Sequence, residues 1–183
     1  MKFEQQFIVS HPREKVWNIL GNLDVVASCF PGVQITHPLD DGKFGGRITI
    51  ALGPMRLDFK GVGELLREKS RWFGEVRGSG SDMGTKSKAE AKLSYNLFDD
   101  ATSGTRIEIK VDYKLYGMLA QVGRPALIEQ VAKQLTSDFK VNLNSVLIDN
   151  GEMSHKSETV KKDFNILKLI FRLITSWFSG HRS

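Results

Sequence analysis

The sequence has few of the residues that anchor metal and redox chemistry. It holds one cysteine in 183 residues, Cys29, so no intramolecular disulfide can form and a reducing compartment is no obstacle. The four histidines, His11, His37, His155 and His181, lie far apart. Neither H-x-x-x-H nor C-x-x-C occurs, so no metal site is expected. There is no G-x-S-x-G and no phosphate-cradling P-loop. The glycine-rich run Gly78-Ser79-Gly80-Ser81-Asp82-Met83-Gly84 falls between two expected strands and reads as a long hairpin turn, not as a helix N-terminus holding an anion. The opening MKFEQQFIVSHPREKVW has no apolar run of the secretory-leader kind, so a cytoplasmic location is the default expectation.

An excess of one charge is missing from most of the chain. Residues 1–150 carry 20 Lys/Arg against 18 Asp/Glu, whereas residues 151–183 carry 6 against 3. The net charge of +5 therefore belongs mainly to a basic tail on a near-neutral body, which argues against a nucleic-acid-binding face. Arg71-Trp72-Phe73 interleaves base and aromatic once, too little for RNA stacking. With 40% hydrophobic and 26% charged residues and only 5 prolines, the chain is globular: one domain plus an appendage.

What is present is alternation. Residues 2–10 read as a strand with Phe3, Phe7 and Val9 on one side. Two short helices follow, HPREKVWNIL opened by Pro12 and GNLDVVASC stopped by Phe30-Pro31-Gly32. VQITHPL leads into the hairpin turn Asp40-Asp41-Gly42-Lys43, and further strands are expected near 44–52, 55–69, 71–80, 86–98 and 104–116. In TRIEIKVDYKL the odd positions Ile107, Ile109, Val111, Tyr113 and Leu115 are apolar and the even ones charged; AEAKLSYNL and MRLDFKG behave alike. Such strands build a sheet with one wet and one covered face. Residues 118–148 are the long helical stretch that would cover it, kinked early at Pro125. The order, strand, two short helices, six strands, long helix, predicts an α+β fold with a seven-stranded antiparallel sheet round the C-terminal helix.

On this pattern Asp58, Glu90, Glu108 and Asp112 face solvent, and no acid pair faces the apolar side, which favours binding over acid–base catalysis. No catalytic residue is expected. Cys29 has no histidine at an obvious spacing and reads as a small semi-buried residue. The inward positions include Gly74, Gly78, Ala89 and Ala91. Small residues facing a long helix mean either close helix–sheet contact or empty volume, and both readings stay open.

The sequence also resembles a known family, the CoxG-like branch (carbon monoxide dehydrogenase G-subunit) of the START-like (SRPBCC) helix-grip proteins. The likeness is carried by Ala27-Ser28-Cys29-Phe30-Pro31-Gly32, by Phe59-Lys60-Gly61 and by the Gly78–Gly84 run. Thr105-Arg106, Tyr116-Gly117-Met118-Leu119-Ala120-Gln121-Val122-Gly123, Ala132-Lys133-Gln134-Leu135 and Phe139 extend it. It covers residues 2 to about 148, and the C-x-P-G turn with the G-x-L-A-x-x-G helix entry is its most specific part. The resemblance implies a non-catalytic protein with a deep hydrophobic cavity for a quinone-like or lipid-like molecule, serving a molybdenum-containing dehydrogenase. The residues expected to line the cavity are Phe30, Pro31, Met55, Leu57, Phe59, Trp72, Gly74, Ala89, Ala91, Leu93, Leu119, Val122, Gly123, Leu127, Val131 and Leu135.

The tail lies beyond the expected 1–148 domain and stands on its own physics. Residues 149–162 are a polar linker, and 163–179 an amphipathic helix with Asp163 as N-cap. Lys168 and Arg172 share its polar arc, opposite Phe164, Leu167, Ile170, Phe171, Ile174, Trp177 and Phe178. Sixteen helical residues reach about 24 Å, short of the ~30 Å hydrocarbon core, so the segment cannot span a bilayer. It is expected to lie on the inner face of the cell membrane, with a protein partner or the chain's own domain as alternative seats.

Overall fold

A computed structural model describes residues 1–39, 42–52 and 55–149; of Leu52, Met55 and Val122 only the backbone is described. The expected amphipathic helix at 163–179, and the linker from 150, lie outside the described residues. The order is β1 (Lys2–Val9), α1 (Arg13–Leu20), α2 (Leu23–Ser28), β2 (Val33–Pro38), β3 (Lys43–Leu52), β4 (Met55–Glu68), β5 (Phe73–Asp82), β6 (Ser87–Asp99), β7 (Thr105–Tyr116), α3 (Met118–Val122) and α4 (Pro125–Asp149).

The seven strands form one antiparallel sheet in the order β1-β7-β6-β5-β4-β3-β2. β2 to β7 are a meander, each strand returning beside the last. β1 closes on β7 from Lys2↔Asp112 to Val9↔Thr105, so β1 and β2 sit at opposite edges although they are consecutive. α1 and α2 must therefore carry the chain across the width of the sheet, which puts them over one end of it. Asn22 starts α2, its side chain accepting from Val25 N at 3.2 Å.

Alternation sorts the faces as expected. Directly opposed residues of neighbouring strands share a face. Ile107 lies opposite both Leu97 and Phe7, on the helix side. Asp112 lies opposite both Lys2 and Lys92, on the outer side. The outer face is a lattice of ion pairs, among them Arg47–Asp58 at 2.6 Å and Lys110–Glu4 at 3.3 Å. Each exposed pair adds little stability, but together they keep that face in water.

Two expectations about element boundaries are corrected. The stretch 118–148 is two helices, not one kinked helix. Proline disfavours a helical conformation in the residue before it and has no N–H to give, so the break falls at Gly123-Arg124 and Pro125 opens α4. The Gly78–Gly84 run is not a long turn: β5 continues to Asp82 and only Met83–Lys86 turn. The Asp82 carboxylate explains this tightness, accepting from the backbone N of Asp58 and of Thr85 and so holding the turn against β4.

Candidate functional site

The inner face of the sheet is covered at both ends by different devices. At the α1–α2 end, Val9, Leu97, Ile107 and Ile109 are buried against Val16, Trp17 and Leu20 of α1 and against Phe139, Leu143 and Leu147 of α4. Phe30 stacks on Phe139 with ring centroids 4.3 Å apart, so the Phe30-Pro31-Gly32 turn ties the helices to each other. Gly32 is at φ +80 and its carbonyl accepts from Thr49 N at 2.9 Å; a side chain there would overlap the Thr49 carbonyl. At the other end, Leu57, Phe59 and Leu119 are buried together, with Ile50, Ala89, Leu115 and Val131 packed on them. α3 is hooked to the β5–β6 turn there by Leu119 N donating to Ser87 Oγ at 3.0 Å.

Between the ends the face is only partly covered. Two adjacent rows cross it: Tyr113, Ala91, Gly78, Gly63 and Phe44, then Leu115, Ala89, Gly80, Gly61 and Gly46. Ala91 is exposed although it points to the helix side, Ile48 is 41% exposed, and Leu65, Val76, Leu93 and Val111 are half-buried. The N-terminal half of α4 is looser than its C-terminal half: Val131 and Leu135 are half-buried and Leu127 is 40% exposed, while Leu143 and Leu147 are wholly buried.

The glycines of this floor are of three kinds. Gly74 lies under the Tyr95 ring and Gly63 under the Phe44 ring, so these two make room for packing. At Gly61 an added carbon would strike the backbone of β5, which marks a close approach of strands. Gly78 and Gly46 face space: an added carbon would meet nothing nearer than 3.5 Å and 3.7 Å.

The sixteen residues expected to line a cavity fall into groups. Leu57, Phe59 and Leu119 sit together at the α3 end with Ala89 and Val131, and Gly123 is buried where α3 breaks. Ala91 and Leu127 are exposed and Leu135 is half-buried, whereas Leu93 and Phe30 pack on the α1–α2 cluster, with Pro31 half-buried beside Phe30. Gly74 is filled by Tyr95. Trp72 stands apart: it ends the β4–β5 connection at φ 51 and packs edge-on against Trp17 at 5.7 Å, with Arg13 over its ring. Met55 and Val122 are placed by their backbone alone.

Sequence reasoning missed the polar groups of the inner face. Gln5 lies opposite Ile109, which lies opposite Tyr95, so the three share a row. Gln5 Nε2 is buried without a hydrogen-bond partner among the described residues, whereas the buried Tyr95 hydroxyl lies over Gly74 beside the Arg67 guanidinium. Burial pushes the Tyr95 hydroxyl up, offset in part by the nearby Arg67 guanidinium. The parity of Gln5 with Phe3 and Phe7 is the signal that points to it. The Cys29 thiol is buried, and that burial pushes its pKa up, which suits an inert side chain.

The outer face holds the acids, as the alternation predicts, with one addition. Glu75 is 5% exposed on that face, its carboxylate between Arg77 at 2.6 Å and Lys92 at 2.9 Å. A depression of about 750 Å³ lies beside it, walled by Lys2, Lys43, Glu64, Arg77, Glu90, Lys92, Asp112 and Lys114, and its lining also takes in Gly63, Gly78, Ala91 and Tyr113. Lys2 pairs with Asp112, and Arg77 and Lys92 with Glu75, so it reads as solvated surface. Among the described residues no group of three His, Cys, Asp or Glu side chains could hold a metal, and no helix is long and apolar enough to cross a membrane.

The fold is similar to that of a conserved protein from Geobacillus kaustophilus, at a TM-score of 0.72 and 16% identity over 82% of this chain and 97% of that one. It is also similar to the Zhui aromatase/cyclase from Streptomyces sp. R1128, at a TM-score of 0.60 and 13% identity over 86% and 99% of the two chains. At such identities the likeness establishes the helix-grip fold and nothing further. No curated protein matches the sequence. The family model of the carbon monoxide dehydrogenase G-subunit (CoxG), however, matches residues 6–148, from the middle of β1 to the end of α4. The chain belongs to the CoxG family.

Proposed function

We propose that the protein is a non-catalytic carrier that holds a hydrophobic molecule, a quinone or similar lipid, between the sheet and α4. The observation that carries this reading is the half-open middle of the inner face. Apolar side chains there stay partly exposed above Ala91, Gly78 and Gly46, whereas the α1–α2 end is closed. An apolar surface kept uncovered inside a fold costs stability unless something occupies it. Gln5 Nε2, buried without a partner among the described residues, is the group that would bond a carbonyl or hydroxyl at the polar end of such a molecule. The lining set is Phe30, Ala91, Leu93, Leu127, Val131 and Leu135, with the α3-end residues below.

The family name supports service to a carbon monoxide dehydrogenase-type molybdenum enzyme, and the basic amphipathic segment 163–179 supports work at the inner membrane surface. Lipid extraction of the purified full chain followed by mass spectrometry tests the carrier. A bound isoprenoid or acyl lipid is expected, and ligand-free protein should take up added quinone. Protein that is empty and ignores quinone would leave an adaptor that anchors the enzyme without carrying anything.

A further inference from the structure

One end of the body combines exposed apolar side chains with basic ones in a way the rest of the surface does not. The β3–β4 hairpin closes there at Leu52↔Met55 and the β5–β6 hairpin at Asp82↔Ser87, and Asp58 N donating to Asp82 ties β4 to the start of the β5–β6 turn. β7 ends at the same level, with Tyr116 opposite Lys88, and α3 is held to Ser87. At this end Met83 is 87% exposed, Met118 45%, Tyr116 42% and Leu127 40%. They come from the β5–β6 turn, the β7–α3 junction and the first turn of α4, so no single local accident exposes them all. Arg56, Lys86, Lys88 and Arg124 stand exposed around them. The nearby acids are engaged: Asp82 is buried under backbone N–H donors, Glu90 holds Lys88 at 2.9 Å, and Glu129 holds Lys133 at 2.7 Å.

We infer that this α3 end of the body seats directly on an anionic bilayer surface, with Met83 and Met118 entering the interface and Arg56, Lys86 and Arg124 on the lipid headgroups. Flexible, polarizable methionines and a tyrosine suit the interfacial layer, where one side is apolar and the other wet. Cations beside them find phosphate oxygens there. An acidic protein surface would match the cations but leave an 87% exposed Met83 without an apolar seat. The inference rests on the carrier reading in one respect: a lipid-soluble ligand must enter from a membrane, and this end adjoins the loose N-terminal turns of α4. The contact uses residues of the body alone and none of the 163–179 segment.

The test uses the full chain with its tail. Met83→Cys takes an environment-sensitive fluorophore, and buried Cys29 is shielded from the reagent. Ala101→Cys, in the exposed β6–β7 turn at the far end, is the control. On vesicles of phosphatidylcholine mixed with phosphatidylglycerol, the label at 83 shifts to the blue and the label at 101 does not. On phosphatidylcholine alone the shift at 83 is weaker. Lys86→Glu with Arg124→Glu lowers partition onto the anionic vesicles by about tenfold or more, with the tail intact. A label at 83 that stays aqueous while the protein floats with the vesicles overturns the inference and assigns the patch to a protein partner. Charge reversal that leaves partition unchanged overturns it equally. Neither result touches the lipid-extraction experiment, so the carrier reading stands or falls separately.

Discussion

The two ends of the inner sheet face use the same kinds of residue and are packed to different depths. At the α1–α2 end the cover comes from three helices that meet there, and Leu143, Leu147, Val9 and Val16 lose essentially all contact with water. At the α3 end the buried group is Leu57, Phe59 and Leu119, and the α4 residues above it are half-buried or exposed. The difference is one of connectivity. The β1-to-β2 crossover must span the whole sheet and so closes its end, whereas α3 is a short hook after β7 that covers only what it touches. One end anchors the fold, and the other leaves room beside α4.

Removing the same side chain at each end of α4 tests this difference most severely. Leu143→Ala should cost about 2–5 kcal/mol, because the site is fully enclosed and cannot collapse. Leu135→Ala, at a half-buried position, should cost roughly 1 kcal/mol. Urea unfolding of the two variants measures both; equal losses would mean that the loose end is as tightly packed as the other.

Two glycines in β5 carry the same contrast at finer scale. Gly74→Ala puts a methyl into the Tyr95 ring and should destabilise by about 1–3 kcal/mol. At Gly78 an added β-carbon meets only the Val62 carbonyl at 3.5 Å, so a variant with Gly78→Val should keep its melting temperature. Its bound lipid or quinone uptake should fall, because the added methyls occupy the open floor. If Gly78→Val unfolds the protein and Gly74→Ala does not, the floor is packed where it reads as open.

The smallest effect belongs to the outer face, which serves as reference for both ends. Burial pushes the Glu75 carboxyl up, but Lys92 and Arg77 outweigh that and hold it below the ordinary carboxylate range. A carboxyl lowered in the folded state stabilises above its unfolded pKa, and the benefit is lost as pH falls through the folded value. Stability should therefore decline on acidification below about pH 4.5, and Glu75→Gln should flatten that decline. Denaturation midpoints across acid pH measure it, and ligand content should not change.

Much of this was legible in the chain. The period-two pattern placed Ile107, Ile109 and Tyr95 inward and Glu108, Lys110 and Asp112 outward, because a strand offers its side chains no third choice. The Phe30-Pro31-Gly32 turn and the helix entry at Gly117 carried the family likeness. The polar groups were harder. Gln5 was visible by parity but not as an unpartnered amide, because the lack of a partner depends on what β7 and α4 bring near it. Glu75 was one more acid in an alternating strand until Arg77 and Lys92 closed over it from β5 and β6.

Residue type and period alone dictated the two faces of the sheet, the element order and the balance of charge. It took the assembled sheet to settle which small residues lie under a ring and which face space. Gly74 and Gly78 have the same residue type and the same parity, but Gly74 lies opposite Tyr95 and Gly78 opposite Ala91. A glycine cannot carry that difference. The strand beside it does, through the cross-strand register, and so the packing at Gly74 and the space at Gly78 were both settled when β5 paired with β6.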